Sequence, residues 1–182
     1  SGQLVTVEYA VTGGTATGGG VDYTLASGTL IFSAGQTTKT IPIAIIDDAL
    51  DEANETIQVT LSSPSNATLG ANTAHTYTIT DDDPPPSVAF DATSSSGLES
   101  IASVNIPVSL SEVSGQTVMV DYTVTGGTAT GGGVDYTLAA GTLIFTAGTT
   151  TQNIALTVAD DALDEANETI QITLSTPLNA TL

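Results

Sequence analysis

The sequence repeats itself. Ser1–Leu69 aligns without a gap onto Ser114–Leu182, an offset of 113 residues, and about 52 of the 69 pairs are identical. Val11–Ala26 recurs unchanged at Val124–Ala139, and Asp47–Gln58 recurs unchanged at Asp160–Gln171. Such a period is too long for one turn of a solenoid and suits a small β-sandwich of ~100 residues. The chain therefore reads as tandem domains. Gly70–Val113 occurs once and holds the end of one unit, a Pro84-Pro85-Pro86 joint and the start of the next. The expected domains are 1–83, a repeat lacking its first two strands, and 84–182, a repeat lacking its last. The chain is expected to be an excerpt of a longer periodic polypeptide.

The apolar pattern has period two. Val118, Val120, Tyr122 and Val124 alternate with Thr117, Met119, Asp121 and Thr123, which predicts a strand with one buried face. The repeat supplies an internal control. Val5, Val7, Tyr9 and Val11 match the inner set, whereas Leu4, Thr6, Glu8 and Ala10 all differ from the outer set. The same alternation marks Ile41-Ile43-Ile45, Ile57-Val59-Leu61, Val104-Ile106-Val108-Leu110 and Ile170-Ile172-Leu174. Strands are predicted near Ser87–Phe90, Ile101–Leu110, Thr117–Val124, Thr142–Phe145, Thr150–Val158, Glu168–Leu174 and Ala74–Thr80. Thr fills the outer faces, and Gly, Asp, Asn and Pro punctuate between runs. Ala49–Glu55 has room for one helical turn. The class is all-β, with short strands at sandwich spacing.

The charge balance excludes several functions. Twenty Asp and Glu face a single Lys or Arg (Lys39), for a net charge of −19. A nucleic-acid partner needs a basic patch to neutralise phosphates, and none can be built. An anionic membrane surface is disfavoured on the same ground, and no apolar run is long enough to insert into a bilayer as a helix. The absence of Cys removes disulfides, thiolate metal sites and Cys nucleophiles. TGGTATGGG lacks the Lys-Ser/Thr of a phosphate loop, so it reads as a turn. Paired carboxylates also serve glycosidases, but the chain has no Trp and few aromatics to hold a sugar, so no enzyme is expected. His75 reads as a strand residue, and Asn54, Asn66, Asn167 and Asn179 open N-x-Thr sequons.

The acids are not scattered. In the first repeat they fall at Glu8, Asp22, Asp47, Asp48, Asp51, Glu52, Glu55 and Asp81-Asp82-Asp83. Only Glu8 lies on a predicted strand face. Asp135, Asp160, Asp161, Asp164, Glu165 and Glu168 repeat the loop set, and Asp91 and Glu99 follow the first strand of the second unit. If these loops meet at one end of a sandwich, several carboxylates converge and repel. With almost no cation in the chain, a bound divalent metal resolves that repulsion. Hard oxygen donors on loops suit Ca²⁺ better than Mg²⁺ or zinc. The competing reading is a solvated, solubilising acidic surface.

The order TGGTATGGGVDYT, GTLIFSAGQTTKTIPIAIIDDALDEANETIQVTLS and TYTITDDD resembles the Calx-β domain over essentially the whole chain. The resemblance implies an immunoglobulin-like antiparallel β-sandwich that binds Ca²⁺ at one end. Carried over position by position, it implies as ligands Asp22 and Asp135; Asp47, Asp48, Asp160 and Asp161; Glu52, Glu55, Glu165 and Glu168; Asp81, Asp82 and Asp83; and Glu99. Asp51 and Asp164 match the family pattern less well. Neither repeat carries a complete ligand set in this chain. The expected function is a Ca²⁺-binding structural or adhesive module of a long extracellular, cell-surface protein or fibre, Ca²⁺ stiffening the array of neighbouring repeats. Two alternatives are a Ca²⁺-sensing regulatory domain and a filament subunit that self-assembles through open strand edges.

Overall fold

The computed structural model describes residues 2–182; Ser1, at the head of the expected first domain, lies outside them. Every strand pairing is antiparallel, and the described residues contain no helix. The chain divides into two compact units, Ser1–Ala49 with Ala53–Asp82, and Leu50–Glu52 with Asp83–Leu182.

The first unit contains β1 (Val5–Gly14), β2 (Tyr23–Thr24), β3 (Gly28–Phe32), β4 (Ala44–Ile45), β5 (Glu55–Ser65) and β6 (Ala74–Ile79). Its main sheet has the order β3-β1-β5-β6, and β2 and β4 form a short ribbon. Tyr23, Ile57 and Val59 are its buried core, with Tyr9, Val11, Ile41, Ile43 and Ile79 packed around them.

The second unit contains β7 (Val88–Phe90), β8 (Ser103–Leu110), β9 (Val118–Gly127), β10 (Tyr136–Thr137), β11 (Gly141–Phe145), β12 (Thr151–Val158) and β13 (Ile170–Leu178). One sheet runs β10-β12-β8-β7 and the other β11-β9-β13. Val88, Val108, Leu110 and Ile154 of the first meet Val118, Val120, Leu143 and Phe145 of the second in one core. Each of these positions comes from a period-two alternation, so each strand buries one face and wets the other. The result is an immunoglobulin-like antiparallel β-sandwich.

The repeat extends to backbone detail. Gly14 and Gly127 have φ of 118° and 123°, and a Cβ at either would lie 2.1 Å from the carbonyl oxygen of Thr56 or Thr169. Only glycine fits there. Both repeats also carry a bulge late in β5 and β13, where Ser63 and Thr176 take φ of 46° and 47°.

Three expectations differ from the structure. Ile41-Ile43-Ile45 was expected within a strand, but only Ala44–Ile45 is one. The corresponding β12 is eight residues long because β8 pairs along it; alternation alone does not make a strand without a neighbour to bond. Ala49–Glu55 forms no helical turn; Asp51 instead makes an isolated parallel bridge to Ser114. The strand expected from Glu168 starts at Ile170; its counterpart Glu55 lies within β5, where it pairs with Ile79 of β6.

Candidate metal centre

The TATGGGVDYT turns place the first acid of each repeat. Gly19 and Gly20 (φ 82° and 97°) and Gly132 and Gly133 (81° and 91°) fold the chain back through the left-handed region. The Thr17 N–H donates to the Asp22 carboxylate, and the Asp22 N–H donates to the Thr17 carbonyl at 3.0 Å. The Thr130 N–H donates to Asp135 Oδ2 at 2.5 Å, with the same return bond at 3.0 Å. Buried Tyr23 and Tyr136 anchor the turns. The Asp22 carbonyl accepts from the Ile46 N–H at 2.9 Å, and the Asp135 carbonyl from the Ala159 N–H at 2.8 Å. Each bond ties the turn to the strand end that leads into a paired-acid loop.

One carboxylate oxygen each of Asp22, Glu52 and Glu55 lies within 4.8 Å of the others. All three side chains are half-buried. Their counterparts 113 residues on are Asp135, Glu165 and Glu168, and these also sense one another. Desolvation, then repulsion from Asp161, Asp135 and Glu99, pushes the Glu165 carboxyl above its ordinary range. Desolvation, then a hydrogen bond and repulsion from Asp135, then repulsion from Glu165, raises Glu168. A carboxyl that must bond another carboxylate holds its proton more tightly, and the same crowding favours any cation that enters. The donors are hard carboxylate oxygens on loops and at the head of β5, which is the chemistry Ca²⁺ requires.

The other predicted acids take various places. Asp47, Asp48, Asp82, Asp160, Asp161 and Glu99 are exposed, and Asp81 and Asp83 are half-buried. The Asp81 N–H donates to Asn54 Oδ1 at 3.0 Å, which fixes the first of the closing acids beside the start of β5, where Glu55 sits. Asp161 and Glu99 act on Glu165, as above. Asp51 has another role. It is 5 % exposed, and its Oδ2 accepts from the Ser114 hydroxyl at 2.7 Å while Oδ1 accepts from the Gln116 amide at 3.2 Å. Its carbonyl accepts from the Gly115 N–H at 2.9 Å. Sequence reasoning missed this use, because the copied Asp164 is exposed and only tertiary structure separates the two. Asn66 and Asn179, read as sequons, sit at φ 55° and donate to the Leu4 and Thr117 carbonyls at 2.9 Å.

The family model described as "Calx-beta domain" matches residues 1–83 and again 81–181. The chain belongs to the Calx-beta domain family. Among curated proteins, this tandem Calx-beta chain is 32% identical to sodium/calcium exchanger 1 of Rattus norvegicus over 193 residues, which is 96% of the chain and 20% of the relative. It is 31% identical to sodium/calcium exchanger 2 of Rattus norvegicus (94% and 20%) and 30% identical to sodium/calcium exchanger 3 of Mus musculus (94% and 21%). The chain thus spans about a fifth of the length of these relatives. Among solved structures, CBD12 from CALX1.2 is 28% identical with a TM-score of 0.46, covering 97% of this chain and 69% of that one. The calcium binding domain CBD12 of CALX1.1 is 27% identical with a TM-score of 0.48, covering 96% and 68%.

Proposed function

We propose that this tandem Calx-beta pair binds Ca²⁺ through Asp22, Glu52 and Glu55 in the first repeat and Asp135, Glu165 and Glu168 in the second, as a Ca²⁺-sensing regulatory module. The observation that carries the reading is the convergence of three carboxylates, Asp22, Glu52 and Glu55, in the first repeat, whose residue types recur at the same 113-residue offset in the second. Lys39 is the chain's only Lys or Arg, so side-chain cations cannot neutralise two such clusters. A bound ion supplies the missing positive charge; the Thr17 and Thr130 N–H bonds hold Asp22 and Asp135 in place before it arrives.

The regulatory role is supported by the similarity to sodium/calcium exchangers. It displaces the adhesive extracellular array as the leading reading. That array rests on the near-identity of the repeats, which selection for repeated mechanical units would maintain.

Ca²⁺ affinity separates the two. Cytosolic sensors bind with Kd of ~10⁻⁷–10⁻⁵ M, extracellular modules with ~10⁻⁴–10⁻³ M. Calorimetric titration of the EDTA-stripped chain in millimolar Mg²⁺ should give a Kd of about 10 µM or tighter. A Kd near 1 mM would return the array to first place.

A further inference from the structure

Asp51 and Ser114 are the buried polar side chains among the described residues, and they bond each other. Leu50–Glu52 belongs to the second compact unit, where Asp51 forms a parallel bridge to Ser114. The Ser114 hydroxyl donates to Asp51 Oδ2 at 2.7 Å and accepts from the Gln116 N–H at 3.0 Å. The Gln116 side-chain amide donates to Asp51 Oδ1 at 3.2 Å. The Gly115 N–H donates to the Asp51 carbonyl at 2.9 Å, and the Ser114 carbonyl accepts from the Gly148 N–H at 3.0 Å. Both Asp51 oxygens are thus engaged within the second unit, and the carboxylate cluster takes its neighbour Glu52 instead. Adjacent side chains of an extended segment point opposite ways. Asp51 meets Ser114 and Gln116, and Glu52 meets the residue between them. A Cβ on Gly115 would lie 2.9 Å from Glu52 Cγ and 3.0 Å from Glu52 Oε1. Gly115 is not among the glycines at left-handed φ, so its part is to leave room for Glu52.

We propose that Asp51 and Gly115 are positioning residues for Glu52 and set the Ca²⁺ affinity of the first site, a proposal that rests on the Ca²⁺ reading of Asp22, Glu52 and Glu55. Asp51 is not a ligand. It fastens the backbone of its segment to the 114–116 turn, and that turn is fastened in turn to Gly148. The bare face of Gly115 then receives the Glu52 stem and one carboxylate oxygen. Partners behind a ligating carboxylate hold it in the geometry the ion needs, and losing one weakens metal binding by about 10–100-fold. The two residues act by different means, which makes them separable. Gly115→Ala adds a methyl group against the end of a flexible side chain, so Glu52 moves and the fold is spared. Asp51→Ala removes the acceptor of the Ser114 hydroxyl and the Gln116 amide and loosens the segment itself. Asp51→Asn keeps an acceptor for the hydroxyl, and the Gln116 amide can rotate to present its oxygen to the new NH₂.

The test has a metal-free arm and a Ca²⁺ arm, both on the 182-residue chain. In EDTA, an NMR cross-peak between Gly115 Hα and Glu52 Hγ should be present in the parent and in Asp51→Asn and lost in Asp51→Ala. Its persistence in Asp51→Ala overturns the positioning role whether or not Ca²⁺ binds. The Ca²⁺ arm titrates the ion by calorimetry in an Asp135→Asn background, which leaves the first site to be read alone. Gly115→Ala and Asp51→Ala should each weaken Kd by about tenfold or more, and Asp51→Asn by less than about threefold. The urea midpoint of the Ca²⁺-free chain should fall in Asp51→Ala and hardly move in Gly115→Ala, a split that a purely structural role does not give. In an Asp22→Asn background the same variants should leave the second site's Kd unchanged. Unchanged first-site binding in Gly115→Ala and Asp51→Ala, with the parent binding normally, overturns the proposal and leaves the Ca²⁺ reading standing. Asp51→Asn as weak as Asp51→Ala also overturns it, since the Asp51 charge would then act on the ion directly. No uptake by the Asp135→Asn parent overturns the Ca²⁺ reading of the first site, and the proposal with it.

Discussion

Single residues of identical type do different work in the two repeats. Asp51 is buried and holds a hydroxyl, an amide and a backbone N–H, whereas Asp164 lies in solvent. Asp51→Ala leaves the Ser114 hydroxyl and the Gln116 amide without their acceptor, which costs about 1–3 kcal/mol. Asp164→Ala should stay within about 0.5 kcal/mol; urea unfolding of both variants measures the contrast. Asp121 carries a pH effect. Hydroxyl bonds from Thr142 at 2.5 Å and from Thr176 hold its carboxyl below the ordinary aspartate range. A depressed folded pKa contributes stability above the unfolded pKa and loses it as pH falls through the folded one. Asp121→Asn should therefore lower the melting temperature at neutral pH, and the gap to wild type should close below the ordinary aspartate range.

At the scale of strands, burial sets what each substitution costs. Phe145 is fully buried in β11, while Phe32 at the matching place in β3 is half-buried. Phe145→Ala should cost about 3–5 kcal/mol and Phe32→Ala clearly less, read from unit-specific NMR signals during denaturant unfolding. The sequence made the faces legible. Val118 and Val120 were assigned inward from alternation and are buried, and the tolerated differences at Thr6/Met119 and Glu8/Asp121 fall on the outer face. The offset between repeats also exposed the carboxylate set, since Asp22, Glu52 and Glu55 recur with their spacing intact. Other features were illegible because they depend on partners distant in sequence. Thr38–Ile43 has the alternation of a strand but not its pairing, and Asp51 looked like another loop acid until Ser114, 63 residues away, met it.

Over the whole molecule, the net charge of −19 resolves into loop clusters that work against folding while they are empty. Glu165 and Glu168 have raised folded pKa values, so their destabilisation is absent below the unfolded glutamate range and complete above the folded one. The EDTA-treated chain should therefore gain stability in the second unit as pH falls from neutral toward the glutamate range. The rise in melting temperature on adding Ca²⁺ should shrink over the same interval. The central claim is that two carboxylate clusters each hold Ca²⁺. It is tested most directly by calorimetric titration of Ca²⁺ into the EDTA-stripped chain and into Asp22→Asn, Asp135→Asn and the double variant. The account predicts heat at two separable sets of sites, loss of one set in each single variant, and at least a tenfold weakening of both in the double variant. Unchanged Ca²⁺ binding in the double variant, or no Ca²⁺ uptake by the parent chain, would contradict it.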